Sequence, residues 1–243
     1  FETLNNTGVA LSELDLIKNS FFSRLAPDGH DQEIIRQRWS RLLASVSADP
    51  KEHERFLRHF YNAFRFDDEL DLRDNQISYA TKKNLIEVFN RLIERNAAGM
   101  FDRLESAATH YGGNTMYEGD HFGLARELNN LANVRGSNAY MLLLFLDAKY
   151  NLHNHPDQKT EIVKLLSAYF IRRNITNQPP TRQTGAIFRN IISFLHKEEG
   201  PAAVLAGNQA EGGLINQLPE VIRQLITEYG QPASDNIFRE RLC

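Results

Sequence analysis

The chain has 243 residues, of which 42% are hydrophobic and 24% are charged, a composition typical of a globular protein. Its formal net charge of −3 argues against a general nucleic-acid binder but leaves room for a local basic face. Its one cysteine, Cys243, excludes a disulfide framework and a cysteine-based zinc site, and we expect a cytoplasmic location.

The longest strongly apolar run covers residues 139–146, which is far shorter than a membrane span, so we expect no membrane partner. No secretory signal is visible. Because the chain begins with Phe1 and not methionine, we expect it to be a piece of a longer protein.

The first predicted helix begins at Ser12, whose hydroxyl can accept a hydrogen bond from a free backbone N–H. Asp15, three residues later, can bond back to the Ser12 N–H and complete a capping box. The second helix is predicted over residues 32–45, with its inward side formed by Ile34, Ile35, Trp39, Leu42 and Leu43. Asp49 and Pro50 predict the start of a third helix.

Apolar spacing predicts two further helices between the acidic stretch at 67–76 and Gly112-Gly113, one long and one shorter. A helix is then predicted over residues 120–132. Residues 140–146 are apolar on all sides, which is typical of a helix in the middle of a bundle. Pro156 predicts the start of the next helix, and another follows the proline-rich turn at residues 177–185.

The end of the chain contains a linker-like stretch and two last predicted helices, over residues 219–229 and 236–242. We therefore predict an all-α fold, an irregular bundle of about ten helices. We divide it into residues 1–26 with the first helix, residues 27–199 as the bundle, and residues 200–243 as linker and C-terminal helices, which we expect to pack on the same domain.

A candidate phosphate site lies before the first helix. Asn5 and Thr7 offer amide and hydroxyl groups, Gly8 permits a close backbone approach, and Lys18 can reach an anion. The alternative is an ordinary turn followed by a capped helix, and composition alone favours that alternative. No Walker-type pattern is present.

A candidate nucleic-acid surface is formed by four arginines near the proline-rich turn: Arg172, Arg173, Arg182 and Arg189. Guanidinium groups suit phosphate oxygens and base edges. The alternative is a helix C-terminus stabilised by positive charge.

Two weaker patterns favour ordinary surface loops over metal sites. His153 and His155 with Asp157 have no identifiable further ligand, and the acidic stretch at residues 67–74 does not follow a calcium-loop spacing. We expect no metal site and no catalytic residue in the chain, because no nucleophile, base and orienting group form a recognisable set.

The opening stretch resembles a motif of the GmrSD-type, modification-dependent (type IV) restriction endonucleases of phage defence. The matching residues are Phe1, Leu4, Asn5, Gly8, Leu11, Ser12, Asp15, Leu16, Ile17, Lys18 and Asn19. Residues 167–192 are similar to the late part of the helical region in the same family.

This resemblance implies the helical part of a nucleotide-dependent enzyme that cleaves DNA, with Asn5, Thr7, Gly8, Lys18 and Asn19 at one edge of a nucleotide site. The family's ParB-like motif D-G-Q-Q-R and its HNH nuclease residues are absent from these 243 residues. We therefore expect no activity from the chain alone, whereas nucleoside triphosphate, magnesium and DNA would be ligands of the full-length protein. The alternative is an all-α protein-interaction or DNA-contacting module without nucleotide binding.

Overall fold

The computed structural model describes residues 11–27, 31–72, 77–197 and 213–230. Within these ranges the chain forms helices and no β-strand, which confirms the predicted all-α fold. The α-helices are α1 (Glu13–Leu25), α2 (Gln32–Val46), α3 (Pro50–Phe64), α4 (Leu85–Thr115), α5 (Phe122–Asn133), α6 (Tyr140–Tyr150), α7 (Pro156–Thr176), α8 (Thr181–His196) and α9 (Gly213–Gly230). The helix predicted over residues 236–242 lies outside the described residues.

Helix α6 is the centre of the bundle. Every residue from Tyr140 to Asp147 is buried, as the all-round apolar pattern predicts. Helices α3, α4 and α8 pack around it, whereas Ala148 and Lys149, near its C-terminal end, are exposed. The other helices form an outer layer on this core.

Helices α1 and α2 cover one side of α4. The predicted capping box is present at Ser12, whose hydroxyl accepts from the Asp15 N–H at 3.1 Å. Phe21 meets Phe101 edge-on with ring centroids 5.2 Å apart, and Trp39 lies 5.9 Å from Phe21. The prediction for Ile34 is wrong: it is 56% exposed, because the buried side of α2 passes through its neighbour Ile35.

The two helices predicted before Gly112-Gly113 follow one another within α4 and are separated by a kink at Asn96, whose backbone dihedrals are not helical, which confirms the predicted division. The predicted end at the glycine pair is wrong, because α4 continues to Thr115. Gly112 serves packing there: a Cβ at this position would lie 1.9 Å from the Ser45 carbonyl oxygen of α2. The glycine therefore allows two helices to approach closely and does not terminate one.

Helix α7 lies on the outside of the bundle, between α5 and α9, and α9 also contacts α8. Pro156 is at its first turn, as predicted. Helix α9 begins at Gly213, six residues before the predicted start at Pro219, so this proline lies inside the helix.

None of the described helices has the length and apolar character needed to cross a membrane.

One buried histidine lies between α3 and α4. His59 is nearly inaccessible to water, and its Nδ1 lies 3.0 Å from the Tyr111 hydroxyl. Burial, together with the positive charges of Arg55 and Arg58, lowers the pKa of His59 from 6.5 to about 3. The imidazole is therefore neutral in the folded protein at neutral pH.

This depressed pKa predicts a pH-dependent stability. Below pH 6.5 His59 becomes protonated in the unfolded chain, whereas in the folded chain it stays neutral down to about pH 3. The free energy of unfolding therefore falls as the pH decreases between these two values. We expect His59 to account for a loss of about 2 kcal/mol between pH 6.5 and about pH 5.

Urea denaturation across this pH range checks the prediction. His59→Gln, which keeps a hydrogen-bond acceptor near Tyr111, should have a shallower pH dependence than the parent chain. Ser40→Ala, a change at an exposed residue of α2 that does not titrate, should keep the parental slope. Equal slopes for His59→Gln and the parent chain would contradict the assignment.

Candidate functional site

The structure describes part of the predicted nucleotide edge. Asn5, Thr7 and Gly8 lie outside the described residues. Lys18 and Asn19 lie in the second turn of α1, where Asn19 is exposed and Lys18 is partly buried. The Lys18 ammonium group lies 5.5 Å from the centre of the Phe22 ring, a cation–π contact that holds it against the helix.

The four predicted arginines occupy two helices and have different environments. Arg172 and Arg173 lie in the last turns of α7, whereas Arg182 and Arg189 lie on α8. Arg173 donates to the Pro179 carbonyl at 3.2 Å and also bonds the Thr181 hydroxyl. Its guanidinium group is thus used inside the turn between the two helices, where the polar contacts stabilise the chain reversal.

Arg182 and Arg189 are seven residues apart and therefore share one side of α8, about 10 Å from each other along the axis. Arg182 is exposed and makes no hydrogen bond or ion pair with any described residue. The Arg189 guanidinium lies 4.3 Å from the centre of the Tyr79 ring. Partial burial lowers the pKa of Arg189 from its usual value, although an arginine remains charged at neutral pH.

Tyr79 belongs to a loop that α3 holds firmly. The side-chain amide of Asn62 donates to the Ala80 carbonyl at 3.0 Å, and its oxygen accepts from the Ala80 N–H at 2.8 Å. The Tyr61 hydroxyl donates to the Ile77 carbonyl at 3.0 Å. These bonds are buried, so the backbone on both sides of Tyr79 is fixed while its side chain points outward.

The same loop contributes two lysines. Lys82 and Lys83 are exposed; Lys82 lies 3.9 Å from Glu54, and Lys83 has no ion-pair partner among the residues that the structure describes. We define the basic α8 surface as Tyr79, Lys82, Lys83, Arg182 and Arg189. The sequence predicted the two arginines of this surface but not Tyr79 and the lysines. No pattern around residues 79–83 indicates that they lie close to a helix about a hundred residues later in the chain.

The histidine pair at residues 153 and 155 does not converge with Asp157. His153 Nδ1 lies 3.2 Å from the Asp147 carbonyl oxygen, and its ring contacts that of His110. Asp157 instead accepts from His121 Nε2 at 3.0 Å, across the start of α5. Among the described residues, no group of three or more histidine, cysteine or acidic side chains is arranged to hold a metal ion.

The acidic stretch is likewise tied to the bundle. Asp67 and Glu69 both pair with Arg103 of α4, whereas Asp68 is exposed. Asp74 lies outside the described residues. Asp67 and Glu69 thus fix this loop to α4 and compensate the charge of Arg103.

The most deeply buried ionic group was not apparent from the sequence. Asp147, at the end of α6, accepts from the Lys159 ammonium group of α7 at 3.0 and 2.9 Å. The Asn114 amide of α4 donates to the same carboxylate at 2.8 Å. The Lys159 and Asp147 side chains are only 3% and 1% exposed. This cluster has no open approach from solvent, so its role is to join α4, α6 and α7.

Comparison with known proteins found no family model that matches the chain, no similar curated protein and no similar solved structure.

The buried ion pair predicts strong non-additivity. Lys159→Met leaves the Asp147 carboxylate buried without its counter-charge, and we expect a loss of about 3–5 kcal/mol in the free energy of unfolding. Asp147→Leu should cost a similar amount. The double variant should recover much of this loss, because no uncompensated charge remains in the core.

Chemical denaturation of the two single variants and the double variant measures the coupling energy directly. Arg91→Met provides the control, because Arg91 pairs with Glu87 one helical turn away on the exposed side of α4. That change should cost less than about 1 kcal/mol. Additive losses at Asp147 and Lys159 would show that the pair is not the joint described above.

Proposed function

We propose that the chain is the helical part of a nucleotide-dependent, modification-dependent restriction endonuclease of the GmrSD type, and that its basic α8 surface contacts DNA. The observation that carries the DNA contact is the packing of Arg189 on the exposed Tyr79, which brings α8, with Arg182, next to the loop that carries Lys82 and Lys83. Two of these cations, Arg182 and Lys83, have no carboxylate partner among the described residues, so they are available to phosphate oxygens.

The direction of α8 supports the same contact. Helix α8 begins after Pro180 with no side-chain hydrogen bond capping its first turn. The positive end of the helix dipole therefore lies beside Arg182 and adds to the field of that guanidinium. Arg172, exposed near the C-terminal end of α7, adds a further positive charge to this part of the chain.

The nucleotide edge belongs to the same proposal and rests on the resemblance of the opening stretch. Asn5, Thr7, Gly8, Lys18 and Asn19 would face a ParB-like domain that binds a nucleoside triphosphate with magnesium. In the full-length protein an HNH nuclease domain would cleave the DNA. The chain itself would supply the helical connection and the DNA contact, without catalysis of its own.

An all-α interaction module without nucleotide binding is the competing function, and one observation favours it. Ile171 and Ile175 lie one turn apart on α7 and are 46% and 79% exposed. Two neighbouring exposed isoleucines are suited to a protein partner. If this function holds, Ile175→Lys disrupts an assembly and charge changes on α8 have no effect on DNA.

A duplex-binding measurement tests the proposal. We expect the chain to bind a fluorescein-labelled duplex of about 20 base pairs, a length that spans two helical turns. Arg182→Ala should weaken binding about tenfold through the loss of one charge-assisted contact. It should also reduce the slope of log affinity against log salt by about one.

Arg223→Ala is the matched control. Arg223 is an exposed arginine of α9 that pairs with Glu220 at 3.0 Å and with Glu161 of α7 at 3.6 Å, so carboxylates already compensate its charge. Its removal changes the net charge by the same amount as Arg182→Ala but should leave duplex affinity within about twofold. Absence of duplex binding by the parent chain, or equal effects of the two substitutions, would overturn the DNA contact.

A further inference from the structure

The ring of Tyr79 is exposed although its surroundings are rigid. The side chain is 44% exposed, one of the few large hydrophobic groups on the described surface. Its loop is fixed by the buried bonds from Tyr61 and Asn62 of α3, and the Ser78 carbonyl accepts from Arg65. An aromatic ring held this firmly loses little conformational freedom when a ligand covers it.

The contact with Arg189 leaves room for a ligand. The guanidinium covers part of the ring with its carbon 4.3 Å from the ring centre, so it holds the ring orientation from α8. The exposed remainder of the ring can accept a flat partner. Arg189 also brings a positive charge next to that partner, which favours an electron-rich ring or an adjacent anion.

The cations nearby are distributed as a nucleic-acid strand requires. Lys82 and Lys83 follow Tyr79 by three and four residues, and Arg182 lies two turns before Arg189 on α8. Cations close to an exposed aromatic ring are the combination by which proteins bind the phosphates of a strand whose base is stacked on that ring. A duplex presents its bases edge-on inside the stack and cannot offer one to this ring.

We propose that Tyr79, supported by Arg189, stacks against an unpaired nucleic-acid base, with Lys82, Lys83 and Arg182 binding the flanking phosphates. This inference rests on the proposed DNA contact and specifies its substrate class. The ligand is a strand with at least one base outside a double helix. The shared chemistry is the unpaired base, which a single strand or a bulged duplex can supply.

Three labelled probes of matched sequence test the inference by fluorescence anisotropy: a single strand of about 12 nucleotides, the perfect duplex, and the duplex with one bulged nucleotide. Tyr79→Ala should weaken binding to a probe with an unpaired base by about five- to a hundredfold. It should change binding to the perfect duplex by less than about twofold. Tyr79→Phe should bind all three probes like the parent chain, because the stacking surface remains.

Phe122→Ala is the control, since Phe122 is an exposed aromatic residue at the start of α5 and is 79% exposed. It should leave all three affinities unchanged. A Tyr79-dependent loss with either the single strand or the bulged duplex supports the inference and identifies the source of the base. The inference is overturned if Tyr79→Ala weakens binding equally to all three probes. It is also overturned if the variant binds the single strand and the bulged duplex as tightly as the parent chain does.

The two proposals fail in different ways. One outcome is that the perfect duplex binds and responds to Arg182→Ala while Tyr79→Ala does not distinguish probes with an unpaired base from the perfect duplex. In that case the proposed stacking on Tyr79 is wrong and the proposed DNA contact stands. If the perfect duplex does not bind, the proposed DNA contact is wrong whatever Tyr79 does. Thermal melting of Tyr79→Ala separates a lost contact from a lost fold, and Tyr79→Leu, which removes the ring but keeps an apolar side chain, provides the same test if the alanine variant unfolds.

Discussion

A single buried carboxylate constrains the arrangement of the bundle. Asp147 lies near the C-terminal end of α6, the most apolar of the described helices, and is fully buried. Lys159 supplies the opposite charge there, and the neutral amide of Asn114 donates a further hydrogen bond to the carboxylate. An alternative packing of α4, α6 or α7 would leave a charge in the core at a cost of several kcal/mol. The pair therefore selects one packing.

This constraint extends to the surface through α7. The helix that carries Lys159 ends at the turn where Arg173 bonds Pro179 and Thr181, and α8 begins there. Helix α8 then returns across the bundle and packs on α6. The position of Arg189 opposite Tyr79 thus depends on how α7 is seated, although neither residue touches the ion pair. A rigid core supports a defined surface.

Local patterns were sufficient to predict the helices but not their partners. The capping box at Ser12, the proline starts of α3 and α7, and the buried α6 each depend on a few neighbouring residues, and the structure confirms them. Whether Ile34 or Ile35 faces inward depends on the helix that packs against α2. For the same reason the packing role of Gly112 could not be predicted, because its neighbour Ser45 belongs to another helix.

The candidate site illustrates that limit for function. Four arginines close in sequence indicated a basic surface, yet Arg173 serves a turn and Arg189 packs on a ring. The pairing of Lys159 with Asp147 spans 12 residues, and that of Asn114 with Asp147 spans 33. Charge alone cannot distinguish a cation that binds a ligand from one that completes the fold. That distinction requires the three-dimensional neighbours of each group.

A molecule with net charge −3 can still present cations to an anion, because its acidic groups are used elsewhere. Asp67 and Glu69 pair with Arg103, and Asp102 and Glu105 pair with Arg38. Each of these carboxylates has its own arginine partner, and salt screens exposed charges beyond about 8–10 Å, so a net negative charge does not by itself exclude a local basic surface. By the same reasoning, the proposed DNA contact would act only at short range. Any discrimination between ligands would then come from contact geometry, for which Tyr79 and Arg189 are the proposed groups.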